Sequence, residues 1–183
     1  LYHDMNNHNL VMWKLAEKGE YERLHKYIGK LRPLEKDRHR QWTQNLILDM
    51  ILEYKLLAME KKKILYEIKT DMIGEIALAD KELCILLGNL LDNAIEACEK
   101  LEEEKRMVKI EVRKHHSMFM LIVENSCEAH AQVRKGIFRT TKKDDRMHGY
   151  GIHNVRKTVK NRGGQFQYGS RGENFYVKIL IPL

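Results

Sequence analysis

The spacing of apolar residues changes along this chain, and that change limits the folds open to it. Up to about residue 60, apolar residues recur every three or four positions; beyond it, short stretches that alternate in steps of two appear between further helical ones. Leu1, Met5, Met12 and Leu15 form one helical stripe, with His8 in the missing step, and Gly19 interrupts it. Tyr21, Leu24, Ile28 and Leu31 resume the stripe as far as Pro33. Two helices joined by a tight turn make an antiparallel hairpin. A lone hairpin cannot bury these stripes, and a second copy would bury them as a four-helix bundle.

Thr43 is the expected N-cap of a third helix, with Leu46, Met50, Tyr54 and Leu57 on its apolar face. Ile64, Tyr66 and Ile68 alternate as a strand does. Asp80 is the expected cap of a long helix reaching Lys100. Val108, Ile110 and Val112 alternate, and Met118 to Val123 is an apolar strand, with a turn over Lys114-His115-His116-Ser117 between them. A helix opens at Gly149-Tyr150-Gly151 and ends at Gly163-Gly164. Strands from Gln165 to Tyr168 and Phe175 to Ile181 follow, across a turn from Gly169 to Gly172. The pattern predicts an α+β chain: a helical hairpin over residues 1–41, then a sandwich of helices on one sheet face over 42–183. The boundary between them could fall as late as residue 60.

The formal net charge is +7. Nucleic-acid binding, a triphosphate ligand and a plain solvated surface all fit that balance. The positive residues are interleaved with Glu and Asp and form no basic stripe, which favours the solvated surface for most of them and gives no nucleic-acid partner. Cys84, Cys98 and Cys127 have no CxxC spacing, which argues against a disulfide framework or zinc site and for a reducing compartment. No apolar run is long enough to span a membrane. The chain begins Leu1-Tyr2-His3 inside a helical pattern, so a fragment of a longer protein is expected.

Three short segments carry chemistry. In Asn89-Leu90-Leu91-Asp92-Asn93-Ala94-Ile95-Glu96-Ala97, helical spacing puts Asn89 and Asn93 on one face. A carboxamide oxygen there can ligate Mg²⁺, or the two can be a surface polar pair. In His148-Gly149-Tyr150-Gly151, two glycines before a helix let backbone N–H groups approach an anion, or simply turn the chain. Thr140-Thr141-Lys142-Lys143 lies upstream in a long polar segment, where the lysines either close on phosphates or are solvated. In His3-Asp4-Met5-Asn6-Asn7-His8, a neutral imidazole can accept a phosphoryl group. The adjacent Asp4 can take its proton, and Asn7, one turn on, can position a water for the reverse reaction.

Taken together, HDxxN, then NLLDNAIEA, then GxG at a helix start resemble the H-, N- and G-boxes of the sensor histidine kinases. The HDxxNH form is most similar to the subgroup of peptide-pheromone receptors of quorum sensing. The resemblance covers nearly the whole chain. It implies a dimerising, cytoplasmic hairpin bearing His3, then a GHKL-type ATP-binding domain, with membrane attachment only through a missing N-terminal sensor region. It implies ATP and Mg²⁺ as ligands, with Asn93 on the metal, Asn89 at the phosphates, Gly149 and Gly151 behind the triphosphate, and a lid between Ser126 and His148. It also implies a response regulator as partner and phosphoprotein chemistry at His3. One departure stands out. Where the family commonly has DxGxG, this chain reads Val123-Glu124-Asn125-Ser126-Cys127. Asn125 would meet the adenine amino group with a neutral acceptor, and the glycines are missing.

Two rival readings share the fold. GHKL ATPases typically carry a Glu at the place of Asn89 to activate water, and an amide is a poor general base. A scaffold with a decayed nucleotide site fits the altered Asn125 region but not Asn93, Gly149 and Gly151. A basic helical DNA-binding protein explains none of these placements.

Overall fold

A computed structural model describes residues 2–31, 41–128 and 150–183. By its internal contacts the chain divides into two units, 1–39 and 40–183.

The first unit is a hairpin of α1 (Tyr2–Glu17) and α2 (Tyr21–Leu31). Gly19 turns the chain with φ of +69°, in the left-handed region that glycine enters without steric cost. His8 faces α2, where its Nδ1 lies 2.8 Å from the Tyr27 hydroxyl. Pairing between residues 8 and 27, across a turn near 19, makes the helices antiparallel.

The second unit runs α3 (Leu46–Lys61), β1 (Leu65–Thr70), α4 (Asp80–Leu83), a π-helical turn (Cys84–Gly88), α5 (Asn89–Cys98), β2 (Met107–His115), β3 (Met118–Ser126), α6 (Tyr150–Asn161), β4 (Gln165–Arg171) and β5 (Asn174–Pro182). The sheet order is β1-β2-β3-β5-β4. β1 and β2 are parallel, and the long helical run through α4 and α5 makes the crossover that a parallel pair requires. The other neighbours are antiparallel.

Alternation along the strands sorts the two sheet faces. Val108, Ile110, Val112, Phe119, Leu121, Val123, Val177, Ile179 and Ile181 are buried under the helices. The other face carries Lys109, Glu111, Arg113 and Glu124, with Arg113 paired to Glu111 and Lys109 to Glu124. From the helix layer, Leu48, Leu52, Leu56, Met59, Leu83, Leu86, Leu87, Leu91, Val155 and Val159 complete the core. Each large apolar side chain buried this way contributes roughly 1.5–3 kcal/mol.

Several local expectations need correction. α3 buries Leu48, Asp49, Leu52, Leu56 and Met59, whereas Leu46 and Met50 are 73% and 57% exposed. The expected apolar face is therefore the solvent face. Thr43 does not cap this helix; Asn45 does, its side chain accepting from the Leu48 N–H at 3.1 Å. Thr43 is buried instead, donating through N–H and Oγ1 to Asp49 at 2.9 and 2.7 Å. Those bonds satisfy the buried carboxylate. Asp80 is the first residue of α4 rather than its cap, and Glu82 reaches back to the Ala79 N–H at 2.8 Å. Both β-hairpins have longer strands and tighter turns than the alternation alone indicated, because backbone pairing continues through polar residues such as Lys114 and Arg171.

Candidate functional site

The helical run from Asp80 to Cys98 is not uniform. A π-helical turn at Cys84–Gly88 ends where Asn89 begins α5. Such turns shift the phase of the face that follows and occur often at functional sites. The Asn89 side chain secures the turn, its Nδ2 donating to the Ile85 carbonyl at 2.7 Å. That bond fixes which end of the amide does what: Oδ1 is left on the far side as an acceptor.

The far side is α6. A Cβ built on Gly151 would lie 2.8 Å from Asn89 Oδ1 and 3.4 Å from its Cγ. A side chain at this position would push the amide out of its present place. Residues 89 and 151, separated by 62 positions of sequence, thus meet where the N-terminal end of α6 presents N–H groups and a positive dipole. Asn93 lies one turn along α5 from Asn89, on the same side and exposed. The inner side of α5 is held down by Leu90, Leu91, Ala94, Ile95 and Cys98.

α6 is fixed from three directions. Val155 and Val159 enter the core. The Arg156 guanidinium carbon lies 5.1 Å from the Phe166 ring centroid and 5.2 Å from that of Tyr168. Arg162 makes a two-pronged ion pair with Glu82, its Nε donating to Oε1 at 2.7 Å. The Arg162 hydrogen bond holds the Glu82 carboxyl below its ordinary range. At the end of α6, Gly164 has no room for a side chain, because a Cβ would fall 2.5 Å from the Leu180 carbonyl.

Asn125 ends the row of helix-facing residues on β3 and is only 5% exposed. Its Nδ2 donates to the Ser126 carbonyl at 2.8 Å, which leaves Oδ1 as its acceptor. Val108 and Phe175 flank it in register on β2 and β5. The C-terminal end of α5 reaches the same strand ends, since the Cys98 thiol lies 3.5 Å from the Met107 carbonyl and 3.8 Å from that of Ser126. Burial pushes the Cys98 thiol up, so it packs as a neutral group. Asn125 and α5 therefore belong to one neighbourhood.

The GHKL domain family matches residues 78–182, more than half of the chain.

The chain belongs to the GHKL-domain family.

Solved structures agree in fold. The catalytic domain of the histidine kinase ThkA, in a nucleotide-free form, is 20% identical with a TM-score of 0.61, over 77% of this chain and 95% of that one. The Acinetobacter baumannii histidine kinase AdeS is 14% identical with a TM-score of 0.55, over 98% of this chain and 97% of that one. Full-length ShkA, solved in complex with AMPPNP, is 17% identical with a TM-score of 0.56, over 74% of this chain and 29% of that one. No curated protein matches the chain in sequence. The GHKL unit thus has the fold of a histidine kinase catalytic domain, as its boxes implied.

Of the residues singled out from sequence, Asn89 and Gly151 are in contact, Asn93 lies on their face of α5, and Asn125 closes the strand end nearby. Gly149 and Lys142 lie outside the described residues. His3 and Asp4 are in α1, with side chains outside the described set, and Asn7 is exposed on the same helix. The donor set fits a nucleotide with Mg²⁺. Asn93 offers an exposed carboxamide oxygen, the hard donor that Mg²⁺ prefers, one turn from Asn89, which itself stands beside a helix start suited to phosphate. One feature escaped the reading of the sequence. Lys55 of α3 pairs with Asp92, between the two asparagines, at 2.5 Å. The matching seven-residue spacing of Lys55 with Lys62 and of Asp92 with Glu99 was the available signal.

Among the described residues no helix is long and apolar enough to cross a membrane, and none of their His, Cys, Asp and Glu side chains cluster in threes as metal ligands do.

Proposed function

We propose that this chain is the cytoplasmic catalytic core of a two-component sensor histidine kinase, which moves the γ-phosphoryl group of ATP to His3 and then to an aspartate of a response regulator. The observation that carries the reading is the contact between Gly151 and Asn89. It supports a single site built from the N-box helix and the start of the G-box helix, and it depends on a glycine where any other residue would collide.

In this reading residues 1–41 form the dimerising phosphotransfer hairpin, paired with a second copy, and residues 42–183 form the nucleotide-binding domain. The first turn of α6, with Gly149 and Gly151, holds the phosphates through backbone N–H groups, and Asn89 contacts them through the second hydrogen of its Nδ2. Asn93 holds Mg²⁺. When bound, that ion supplies neutralisation of the charge that develops on the phosphates. Asn125 receives the base: its Oδ1 suits an exocyclic amino group, as in adenine, and disfavours a carbonyl, as in guanine. Lys142, in the segment before α6, closes on the triphosphate. On the hairpin, His3 is the nucleophile, Asp4 takes its proton, and Asn7 positions water for the reverse reaction. Positioning and charge compensation supply most of the rate, as phosphoryl transfer requires little covalent work from the protein.

The amide at Asn89 favours transfer over hydrolysis, because it cannot serve as general base for water. The subgroup with peptide-pheromone receptors is supported by the HDxxNH order alone.

Incubation with γ-labelled ATP and Mg²⁺ separates the readings. Acid-labile label that vanishes in His3→Gln is expected. Steady phosphate release without labelled protein would indicate an ATPase, and absence of both label and ATP binding would indicate a scaffold.

A further inference from the structure

α3 and α5 lie side by side and are tied by two ion pairs. Lys55 Nζ is 2.5 Å from Asp92 Oδ1, and Lys62 Nζ is 2.5 Å from Glu99 Oε1. Each pair spans 37 positions of sequence, and the second, between the C-caps of the two helices, follows the first by seven residues in both segments. The helices are therefore parallel and in phase through two turns.

The two pairs differ in setting. Lys62 and Glu99 are 39% and 40% exposed, an ordinary surface pair of small energetic consequence. Lys55 is only 12% exposed, with its Nζ 5.2 Å from the Tyr54 ring centroid, whereas its partner Asp92 is 56% exposed. A lysine buried along most of its side chain thus delivers its ammonium to a carboxylate that faces out of α5. That carboxylate stands three residues after Asn89 and directly before Asn93, within one turn of both.

A carboxylate in this place opposes the ligand proposed above. A nucleoside triphosphate carries several negative charges, and an unpaired anion within a turn of its phosphates repels them. We propose that Lys55 is the charge-compensating residue of the nucleotide site: by holding Asp92 in an ion pair, it cancels the negative charge beside the phosphates and sets the affinity for anionic nucleotides. Lys55 acts through Asp92 and does not itself touch the ligand. This inference rests on the nucleotide-binding reading.

The test is a titration of wild type, Lys55→Met, Lys55→Arg, Asp92→Asn and the Lys55→Met/Asp92→Asn double variant with Mg-ATP, Mg-ADP and adenosine, at low and high salt. Lys55→Met is expected to weaken Mg-ATP binding roughly fivefold at low salt, Mg-ADP less, and uncharged adenosine not at all, with the effect shrinking as salt rises. Lys55→Arg retains the wild-type affinity. Asp92→Asn binds Mg-ATP as tightly as wild type or tighter, and the double variant recovers what Lys55→Met loses.

Loss of Mg-ATP binding in Asp92→Asn would overturn the inference, since it would make that carboxylate a ligand of the metal. Equal weakening for ATP and adenosine in Lys55→Met would also overturn it, as the effect would then be structural. Should Lys55→Met fail to fold, Asp92→Asn decides alone. Failure of wild type to bind Mg-ATP would refute the nucleotide reading itself.

Discussion

Replacing Gly151 by Ala separates site geometry from stability. The new Cβ would sit 2.8 Å from Asn89 Oδ1, inside the 3.0 Å that real Cβ atoms respect. α6 is pinned by Val155, Val159 and the Arg162–Glu82 pair, so the amide must give way rather than the helix. Rotating it breaks the 2.7 Å bond to the Ile85 carbonyl. That loss costs about 1 kcal/mol. Alanine in place of glycine on a helix returns up to about 1 kcal/mol. Stability should therefore change by less than about 1 kcal/mol. Nucleotide affinity responds differently, because the second Nδ2 hydrogen of Asn89 is its donor to a phosphate and a displaced amide no longer presents it. A hydrogen bond to a charged group is worth about 1.5–3 kcal/mol. Mg-ATP binding should fall roughly 10- to 100-fold. Thermal melting and Mg-ATP titration of the same sample read the two quantities. Asn89→Ala/Gly151→Ala should bind no worse than Asn89→Ala, since both changes act on one amide. A folded Gly151→Ala protein with wild-type ATP affinity would refute the reasoning.

Other outcomes follow from named contacts. Leu52→Ala should destabilise by about 2–5 kcal/mol in denaturant unfolding, whereas Met50→Ala on the same helix should stay within about 0.5 kcal/mol. Asn125→Leu should lower ATP affinity and erase any preference for ATP over GTP in competition binding, while Asn125→Asp keeps the preference. The Arg162 bond keeps the Glu82 carboxyl below its ordinary value of 4.5 in the folded state. A depressed carboxyl stabilises above its unfolded value and loses that contribution as pH falls through the folded one. Glu82→Gln should therefore melt below wild type at pH 7, with the gap closing as pH drops below 4.5; a gap independent of pH would contradict the assignment.

Much of this architecture could be read from residue order, for reasons that the exceptions clarify. Strand β2 announced itself by alternation, because its outer face is charged, whereas β3 and β5 were legible as short, mostly apolar runs between turns. α3 misled because it is apolar nearly all round: Leu46, Met50 and Tyr54 form as good a stripe as Leu48, Leu52 and Leu56. Asp49 stands on the buried side, which its charge alone does not indicate. Its burial became legible only once Thr43, six residues earlier, was seen to satisfy it. The site divides in the same way. Asn89, Asn93 and Gly151 were visible because amides on an apolar helix and a glycine at a helix start are costly without a purpose. The π-helical turn before Asn89 and the Lys55–Asp92 pair were not, because one is a backbone event and the other joins two charges 37 residues apart.

The central claim is that a nucleotide lies between the asparagine face of α5 and the first turn of α6. A crystal structure of the protein with Mg²⁺ and a non-hydrolysable ATP analogue measures this directly. Phosphates between Asn89, Asn93 and Gly151, with the base at Asn125, are the expected result. An analogue seated elsewhere on the fold, or none bound at saturating concentration, would contradict it.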